Sequence, residues 1–420
     1  MLLRLLSILA ALTLAGCQHA RPPASVATSV EQRAPVTILV SIDGFRPDYL
    51  DRGVTPTLSR LAAEGVRASM RPSFPSKTFP NHWTLVTGLV PDRHGIVANR
   101  MEDARRPGET FTMASDDPFW WNEAEPIWVS AERAGIRTAT MFWPGSNVAW
   151  GGELTKQWPK PLVGGERPHD WQQFNQQVSP QQRIDAVLDW LRRPTNTRPK
   201  FVTLYFDEVD SAGHAYGPDD LRTTKAVELM DRYITALVAG LRELGQPANL
   251  VFTADHGMAA TSSERVVRID SLADPADYRL VEAGPYAALD AVPGREAALE
   301  ARLLKPHAHA TCWRKAEIPA RFRYGRHPRV PPYLCLAETG WELVDKPPSA
   351  PRTGGNHGFD HEAPEMAALF LAHGPAFRRG SRLAPFDSVA VYPLLRTLIG
   401  LPPVAGKDGD PAAVADALAR

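Results

Sequence analysis

Five short apolar runs limit the possible folds of this 420-residue chain more than any other feature. They read VTILVSI, RTATMFW, KFVTLYF, NLVFTA and EMAALFLA, and they occupy residues 36–42, 137–143, 200–206, 249–254 and 365–372. Runs that are apolar at nearly every position are typical of strands buried on both faces of a sheet. Helical patterns alternate with these runs, at residues 55–65, 181–193, 223–245 and 388–400. This alternation predicts an α/β fold in which helices cover a largely parallel central sheet.

The pattern changes between residues 258 and 352. Here the apolar runs become short, one helical segment spans residues 295–305, and the loops are rich in proline, arginine and aromatic residues. We interpret this stretch as a smaller α+β lobe that is inserted into the main core. The core would then comprise residues 36–257 and 353–405, and residues 406–420 would form a C-terminal tail.

The first 17 residues, MLLRLLSILAALTLAGC, have the pattern of an export signal. One arginine precedes an apolar stretch that is too short to span a bilayer comfortably, and small residues follow it. A buried N-terminal helix is the alternative, but a core helix rarely lacks polar positions for so long. The ending LAGC resembles the lipobox of bacterial lipoproteins, in which the cysteine, here Cys17, carries the lipid. Residues 18–35 would then be a disordered tether, and the protein a periplasmic or outer-membrane-anchored lipoprotein.

Two further cysteines, Cys312 and Cys335, remain in the mature chain. An exported compartment permits a disulfide between them, and the loop-rich stretch that they bracket would gain stability. Two unpaired buried thiols are the alternative, because spacing alone cannot show geometry. We favour the bridge.

The charge balance excludes one class of partner. Lys and Arg together number 47, and so do Asp and Glu, which leaves no net charge at neutral pH. A chain so balanced lacks the excess of cations that a groove for long DNA or RNA requires. We therefore expect a small-molecule substrate. As separate expectations, the protein is a monomer, and its lipid anchor links it to the membrane.

A set of residues spread from position 43 to position 357 could bind two zinc ions: Asp43, Thr78, Asp210, His214, Asp255, His256 and His357. Carboxylates and imidazoles are common ligands of catalytic zinc, and paired metals are a standard device for displacement at phosphorus. Three of the apolar runs end just before members of this set, so parallel strands would bring these groups to one edge of the sheet. A single aspartate after a strand is more often a helix cap or a turn former, so only the whole set of seven residues indicates a metal site.

Thr78 stands at the start of a predicted short helix that ends at Gly88. Free backbone N–H groups and the positive helix end at this position favour an alkoxide and an incoming phosphate. A zinc-bound threonine could act there as a nucleophile, whereas a plain N-cap is the alternative for an isolated threonine. Two four-coordinate zinc ions need eight donors, so seven protein donors leave about one place for a bridging phosphate oxygen or water.

Several longer motifs resemble one known family. In chain order they are SIDGFRPDYL, PSFPSKTFPNHWTLVTGLVPDRHGIVAN, FWPGS, DSAGHAYGP, ADHGM, YGRHPRVPP and GNHGFD, between about Val36 and Leu401. They are similar to those of the nucleotide pyrophosphatase/phosphodiesterase family of the alkaline phosphatase superfamily. The resemblance implies an alkaline phosphatase-like α/β/α sandwich with an inserted lobe. It also implies a two-zinc hydrolase in which a threonine attacks phosphodiesters or pyrophosphates, with nucleoside 5′-monophosphates as products.

The resemblance further assigns roles to individual residues. It implies that Thr78 is the nucleophile and that the amide of Asn99 hydrogen-bonds a phosphate oxygen. It implies that Phe79 and Phe174 stack on either side of a nucleobase, although the family often has tyrosine at the second position. One zinc ion would bind Asp43, Thr78, Asp255 and His256, and the other would bind Asp210, His214 and His357.

Three alternative functions remain. A phosphomonoesterase could use the same metals, a phosphodiesterase could act on lipid head groups, and a lipid-anchored binding or assembly protein could use zinc for structure only. The paired aromatic residues favour a nucleoside group, and structural zinc sites seldom include a threonine or leave a position open. We therefore expect a phosphoric diester hydrolase that needs two zinc ions per chain.

Overall fold

Strands and helices alternate along the chain in the computed structural model, which describes residues 31–155, 157–159 and 161–419. The strands are β1 (Val36–Ile42), β2 (Val66–Arg71), β3 (Met101–Glu102), β4 (Thr110–Phe111), β5 (Thr138–Met141), β6 (Glu153–Leu154), β7 (Leu162–Val163), β8 (Asp170–Gln172), β9 (Phe201–Phe206), β10 (Ala248–Thr253), β11 (Ala259–Ser262), β12 (Val266–Arg268), β13 (Tyr278–Glu282), β14 (Tyr286–Ala291), β15 (Ala310–Arg314), β16 (Tyr333–Ala337), β17 (Glu342–Val344), β18 (Thr353–Asn356), β19 (Ala368–His373), β20 (Ser381–Arg382) and β21 (Phe386–Asp387). The helices are α1 (Pro56–Glu64), α2 (Thr78–Thr87), α3 (Pro91–His94), α4 (Pro118–Trp121), α5 (Ile127–Arg133), α6 (Pro180–Arg192), α7 (Glu208–Tyr216), α8 (Leu221–Glu243), α9 (Ile269–Leu272), α10 (Glu296–Leu303), α11 (Val391–Leu398) and α12 (Ala412–Ala415).

The central sheet has nine strands among the described residues, in the order β20-β2-β19-β10-β1-β9-β5-β8, with β21 paired to β2. Strands β10, β1, β9, β5 and β8 are parallel to one another, whereas β19 is antiparallel to both β10 and β2. Small sheets of two and four strands accompany it. The predicted α/β fold class is confirmed, and the sheet is mixed because of β19.

All five predicted apolar runs contribute strands to this sheet, and two of these strands depart from the predicted bounds by more than one residue. The run VTILVSI is β1 and is buried at every residue, as a continuous apolar pattern predicts. Strand β5 stops at Met141, because Phe142 adopts a left-handed backbone conformation with a φ of 55°. Strand β19 starts only at Ala368, because a 3-10 turn occupies Pro364–Met366.

The carboxyl ends of β1, β9 and β10 lie side by side at one edge of the sheet. Ser41 of β1 pairs with Tyr205 of β9 on one side and with Thr253 of β10 on the other. A turn at Gly44 follows β1 and helix α7 follows β9, while a turn carrying the Asp-His pair at positions 255 and 256 follows β10. Side chains beyond these three strands therefore converge, as expected at this edge of an α/β sheet.

A four-stranded antiparallel sheet, in the order β13-β14-β16-β15, lies in the segment that we interpret as an inserted lobe. Buried side chains on one face of this sheet, such as Leu289, join Leu299 of α10 in a hydrophobic cluster of their own. Tyr286 and Leu334 on the other face belong to the same cluster as the central sheet. Cys312 of β15 pairs with Cys335 of β16, and the two form a disulfide bond. Residues 34–420 form one compact unit, so the boundaries of a separate lobe stay a prediction.

The structure describes the N-terminal end of the chain only from residue 31 and the C-terminal end up to residue 419. The predicted signal segment with Cys17, and the tether up to residue 30, lie outside the described residues. Within the described ranges, no helix combines the length and the apolar character that crossing a bilayer requires. Near the C-terminus, Val414 and Ala417 are buried against the main core, so the predicted tail takes part in the fold.

Candidate metal centre and its cavity

Four of the predicted ligands form one cluster at the carboxyl edge of the sheet. The Nε2 atom of His256 lies 3.0 Å from Asp255 Oδ2 and 3.5 Å from Asp43 Oδ1. The Oγ1 atom of Thr78 lies 3.3 Å from the same nitrogen. Asp43, Asp255 and His256 are buried, whereas Thr78 is partly exposed and lines a cavity. A hydroxyl thus joins two carboxylates and an imidazole around one small space.

The other three predicted ligands form a second cluster beside the first. The Nε2 atom of His214 lies 3.1 Å from His357 Nε2 and 3.4 Å from Asp210 Oδ2. Asp210 and His214 stand four residues apart on α7, so both side chains extend from one face of the helix. Ligand atoms of Asp210, Asp43 and His256 also lie within 4.8 Å of one another, which joins the two clusters. The structure therefore brings all seven predicted ligands together.

The hydrogen bonds of the three histidines point their Nε2 lone pairs into the site. Each Nδ1 lies 2.9 Å from a backbone oxygen, in the pairs His214–Gly355, His256–Gly257 and His357–Ser76. A carbonyl oxygen can only accept, so each Nδ1 donates its proton there and Nε2 is the ring atom that can bind a metal. The Nε2 atoms of His214 and His357 lie 3.1 Å apart, a spacing that suits two ligands of one cation.

The carboxylates give a second reason for cations at this site. Asp43 Oδ1, Asp210 Oδ1 and Asp255 Oδ2 are buried without a hydrogen-bond partner in the described part of the chain. Burial raises the pKa of Asp43 well above its ordinary value, and the carboxylates of Asp255 and Asp210 raise it further. Burial likewise raises the pKa of Asp255. Buried carboxylates without partners are costly, and divalent cations at these oxygens would offset that cost. The donor set therefore fits a bimetallic site.

Thr78 is the first residue of α2 rather than its N-cap, a position that Lys77 occupies. The predicted supply of free N–H groups at this helix start is smaller than the sequence suggested. Pro80 has no N–H, and the N–H of Phe79 donates to Asn99 Oδ1 at 2.9 Å. In the first turn, the Thr78 N–H alone has no acceptor among the described residues. The amide nitrogen of Asn99 donates to no described residue, and Asn99 lines the cavity.

A cavity of about 500 Å³ extends from the ligand clusters. Its aromatic lining consists of Phe79, Trp121, Phe142, Trp143, Phe174 and Tyr205. The ring of Phe79 packs against Trp121, with centroids 6.0 Å apart. Phe174 is 47% exposed, and its ring packs edge-on against Phe142 and Tyr205. The cavity thus offers apolar faces for a planar group beside Thr78.

Two supporting residues of the site were missed by the sequence analysis. The hydroxyl of Tyr205 donates to Asp43 Oδ2 at 2.7 Å. The Nδ1 atom of His82 donates to the backbone oxygen of Thr78 at 2.8 Å, and burial lowers the pKa of His82 to about 3. The spacing of four residues between Thr78 and His82 could have pointed to the second of these. Tyr205 gave no such signal, because it lies inside an apolar strand.

The comparison with known proteins identifies the class to which this fold and site belong, that of the phosphodiesterase and pyrophosphatase enzymes. The profile of the family described as type I phosphodiesterase/nucleotide pyrophosphatase matches residues 37–360. The chain belongs to this family, which confirms the resemblance of its motifs.

Characterised relatives match over most of the chain. It is 36% identical over 375 residues to bis(5′-adenosyl)-triphosphatase of Bos taurus, covering 88% of this chain and 79% of that protein. It is 35% identical over 390 residues to ectonucleotide pyrophosphatase/phosphodiesterase family member 1 of Mus musculus, covering 89% of this chain and 42% of that protein.

Solved structures give the same result for the fold. Human ectonucleotide pyrophosphatase/phosphodiesterase 5 superposes with a TM-score of 0.84 at 32% identity, covering 92% of this chain and all (100%) of that one. The murine form of the same enzyme, an inactive threonine-to-alanine variant in complex with AMP, superposes with a TM-score of 0.85, also at 32% identity and with the same 92% and 100% coverage.

Proposed function

We propose that this protein is a two-zinc phosphodiesterase and pyrophosphatase that converts nucleotide diesters or pyrophosphates to nucleoside 5′-monophosphates. Thr78 is its nucleophile. The observation that carries the proposal is the position of the Thr78 hydroxyl, 3.3 Å from His256 Nε2 and on the wall of an aromatic cavity. The murine relative supports it, since that protein binds AMP and its threonine-to-alanine variant is inactive.

Two groups of side chains would hold the metal ions. One group is Asp43, Thr78, Asp255 and His256, and the other is Asp210, His214 and His357. Carboxylate oxygens together with neutral imidazole nitrogens suit zinc. When bound, two zinc ions supply Lewis-acid stabilisation of charge on the phosphoryl oxygens and acidify hydroxyl groups that they bind. The three buried carboxylate oxygens that have no hydrogen-bond partner within the described ranges support this assignment.

The residues of the chain account for the remaining steps. The Thr78 oxygen forms a bond to phosphorus as the bond to the leaving alcohol or phosphate breaks, which yields a threonine phosphodiester that still carries the nucleoside. Water then attacks phosphorus, releases the nucleoside monophosphate and restores the Thr78 hydroxyl. The Asn99 amide nitrogen donates to a phosphoryl oxygen, while its Oδ1 keeps the Phe79 N–H. Phe79 and Phe174 hold the base between their rings.

Two chromogenic substrates test the proposal. The nitrophenyl ester of thymidine monophosphate carries a nucleoside for the aromatic cavity, whereas nitrophenyl phosphate is a bare monoester. Both are attacked at phosphorus, so the ratio of their kcat/KM values isolates the contribution of the nucleoside. We expect the nucleotide ester to be cleaved faster by roughly 10- to 100-fold, the range that stacking of one base supports. A higher kcat/KM for nitrophenyl phosphate than for the nucleotide ester would instead indicate a phosphomonoesterase.

A third substrate addresses lipid head groups. Glycerophosphocholine is a diester without a base, so the aromatic rings of the cavity give it no stacking partner. We expect its turnover to be slower than that of the nitrophenyl nucleotide. Faster turnover of glycerophosphocholine would instead favour the head-group alternative.

We further infer that the protein is exported and that a lipid on Cys17 holds it at the membrane. The disulfide between Cys312 and Cys335 supports an oxidising compartment. Labelling with radioactive palmitate, in bacteria that produce the full chain, tests the anchor. We expect label in the wild-type protein and none in a Cys17→Ser variant, and equal labelling of the two would contradict the inference.

A further inference from the structure

Tyr205 is a buried side chain that contacts both the metal ligands and the aromatic part of the cavity. Its hydroxyl donates to Asp43 Oδ2 at 2.7 Å, and only 8% of the residue is exposed. Its ring packs edge-on against Phe174, with centroids 5.7 Å apart. Phe174 is one of the two rings that hold the base in the proposed function. A single residue of β9 therefore connects the two halves of the site.

The hydrogen bond from Tyr205 leaves Asp43 with one oxygen for a metal. Oδ2 accepts from the tyrosine, whereas Oδ1 has no partner among the described residues and faces His256 Nε2 at 3.5 Å. Asp255 is arranged in the same way, since the Gly44 N–H donates to its Oδ1 at 3.3 Å and its Oδ2 accepts no hydrogen bond from any described residue. Both carboxylates thus present a single oxygen to the site.

The position of Tyr205 is fixed by its surroundings. Its backbone oxygen accepts a hydrogen bond from the buried guanidinium of Arg183 at 3.2 Å. Its ring also packs edge-on against His82, with centroids 5.2 Å apart, and His82 in turn donates to the backbone of Thr78. The hydroxyl therefore has little freedom to leave Asp43. A side chain so constrained can set the direction of a ligand oxygen.

We propose that Tyr205 is a positioning residue that makes Asp43 a one-oxygen metal ligand and couples its orientation to the ring of Phe174. The proposal rests on the proposed function. Its physical basis is that outer hydrogen bonds orient ligand carboxylates and that their loss weakens metal binding or activity. The two contacts of Tyr205 can be removed separately, because a phenylalanine keeps the ring and loses only the hydroxyl.

Tyr205→Phe tests the hydroxyl. We expect zinc to bind more weakly at the proposed site that includes Asp43. The free zinc concentration for half-occupancy of this site should rise by roughly 10- to 100-fold, and kcat should fall by roughly 10- to 100-fold. The KM for the nitrophenyl ester of thymidine monophosphate should change less than kcat, since the ring remains. Tyr324→Phe is the matched control, because it removes another buried hydroxyl, which donates to the backbone oxygen of Val97. The control should match the wild type in zinc affinity and kcat.

Zinc affinity and kcat of Tyr205→Phe equal to those of Tyr324→Phe would overturn the positioning role. Tyr205→Leu tests the ring, and we expect its KM to exceed that of Tyr205→Phe. Equal KM values would overturn the coupling to Phe174. If the leucine variant does not fold, the Phe174→Ala substitution is made instead, both in the wild-type protein and in Tyr205→Phe. Additive effects of the two substitutions on kcat would overturn the coupling. A wild-type protein that binds two zinc ions without diesterase activity would refute the proposed function, while the zinc titration would still decide the role of Tyr205.

Discussion

The Nε2 atoms of His214 and His357 lie 3.1 Å apart, although 143 residues separate the two histidines in the chain. The close approach of these two imidazoles depends on glycine, because the backbone of α7 contacts the backbone of β18. A Cβ atom on Gly355 would lie 2.6 Å from the backbone oxygen of Gly213, and one on Gly354 would lie 2.5 Å from that of His214. A side chain at either position would force the helix and the strand apart. The pairing of the two imidazoles is thus set by backbone packing.

Gly355→Ala should therefore weaken the second metal position. The added methyl group pushes against α7 and disturbs the carbonyl that accepts from His214 Nδ1. We expect zinc content to fall from two ions toward one per chain, and kcat to fall by roughly 10- to 100-fold. Thr353→Ala, an exposed change on the same strand, is the control and should keep both ions. Normal zinc content in Gly355→Ala would show that the backbone can adjust.

Replacing Thr78 separates nucleophilic attack from metal binding. Thr78→Ala removes the hydroxyl while six other predicted ligands remain, so zinc content should stay near two ions per chain. We expect kcat to fall by on the order of 10⁴-fold or more, as when other enzymes lose a nucleophile. Thr78→Ser keeps a hydroxyl and should retain measurable turnover. Persistent activity in the alanine variant would exclude Thr78 as the nucleophile.

Two substitutions can distinguish the observed contact of Asn99 from its proposed contact with phosphate. Its Oδ1 accepts from the Phe79 N–H at the start of α2, and its amide nitrogen is the proposed donor to the phosphate. Asn99→Asp keeps the acceptor and loses the donor, so we expect kcat to fall by roughly 10²- to 10³-fold with an unchanged Tm. Asn99→Ala should lose comparable activity and also lower the Tm. A fully active aspartate variant would remove the phosphate contact from the mechanism.

Metal removal should make the stability of the protein depend on pH. Burial raises the pKa values of Asp43 and Asp255, so the folded metal-free chain holds these protons more tightly than the unfolded chain. Their contribution to stability is present below the ordinary aspartate pKa, about 3.9, and is lost as pH rises through the folded values. Burial lowers the pKa values of His82 and His357, which acts in the opposite sense up to about pH 6.5.

The stability should therefore be measured above the ordinary histidine pKa of about 6.5. We expect the Tm gap between zinc-loaded and metal-free protein to widen from about pH 7 to about pH 9. At the upper end of this range, each unit by which a folded pKa exceeds the unfolded one lowers the free energy of unfolding of the metal-free protein by about 1.4 kcal/mol. Asp255→Asn removes one of the two carboxyls and should flatten the pH dependence of the metal-free protein. A gap that stays constant with pH would contradict the carboxylate pKa shifts.

Much of the fold could be predicted from local patterns. A run such as VTILVSI is apolar at nearly every position because both faces of β1 are covered, and that requirement is visible in the sequence. Asp43, Asp210 and Asp255 could be assigned to one edge because parallel strands place their carboxyl ends together. The helix start at Thr78 and the end at Gly88 were equally local signals. Chain order and residue chemistry were enough for these inferences.

Other features depend on contacts between distant segments. The hydroxyl of Tyr205 reaches Asp43 across 162 positions, and an apolar strand pattern does not reveal which of its members faces a carboxylate. The left-handed backbone of Phe142 shortened β5 although the residue itself favours strands. Local patterns along the chain establish which chemical groups the protein carries and which strands they follow. The hydrogen bonds of these groups follow from the packing of distant segments, because they depend on distances that packing fixes to within fractions of an ångström.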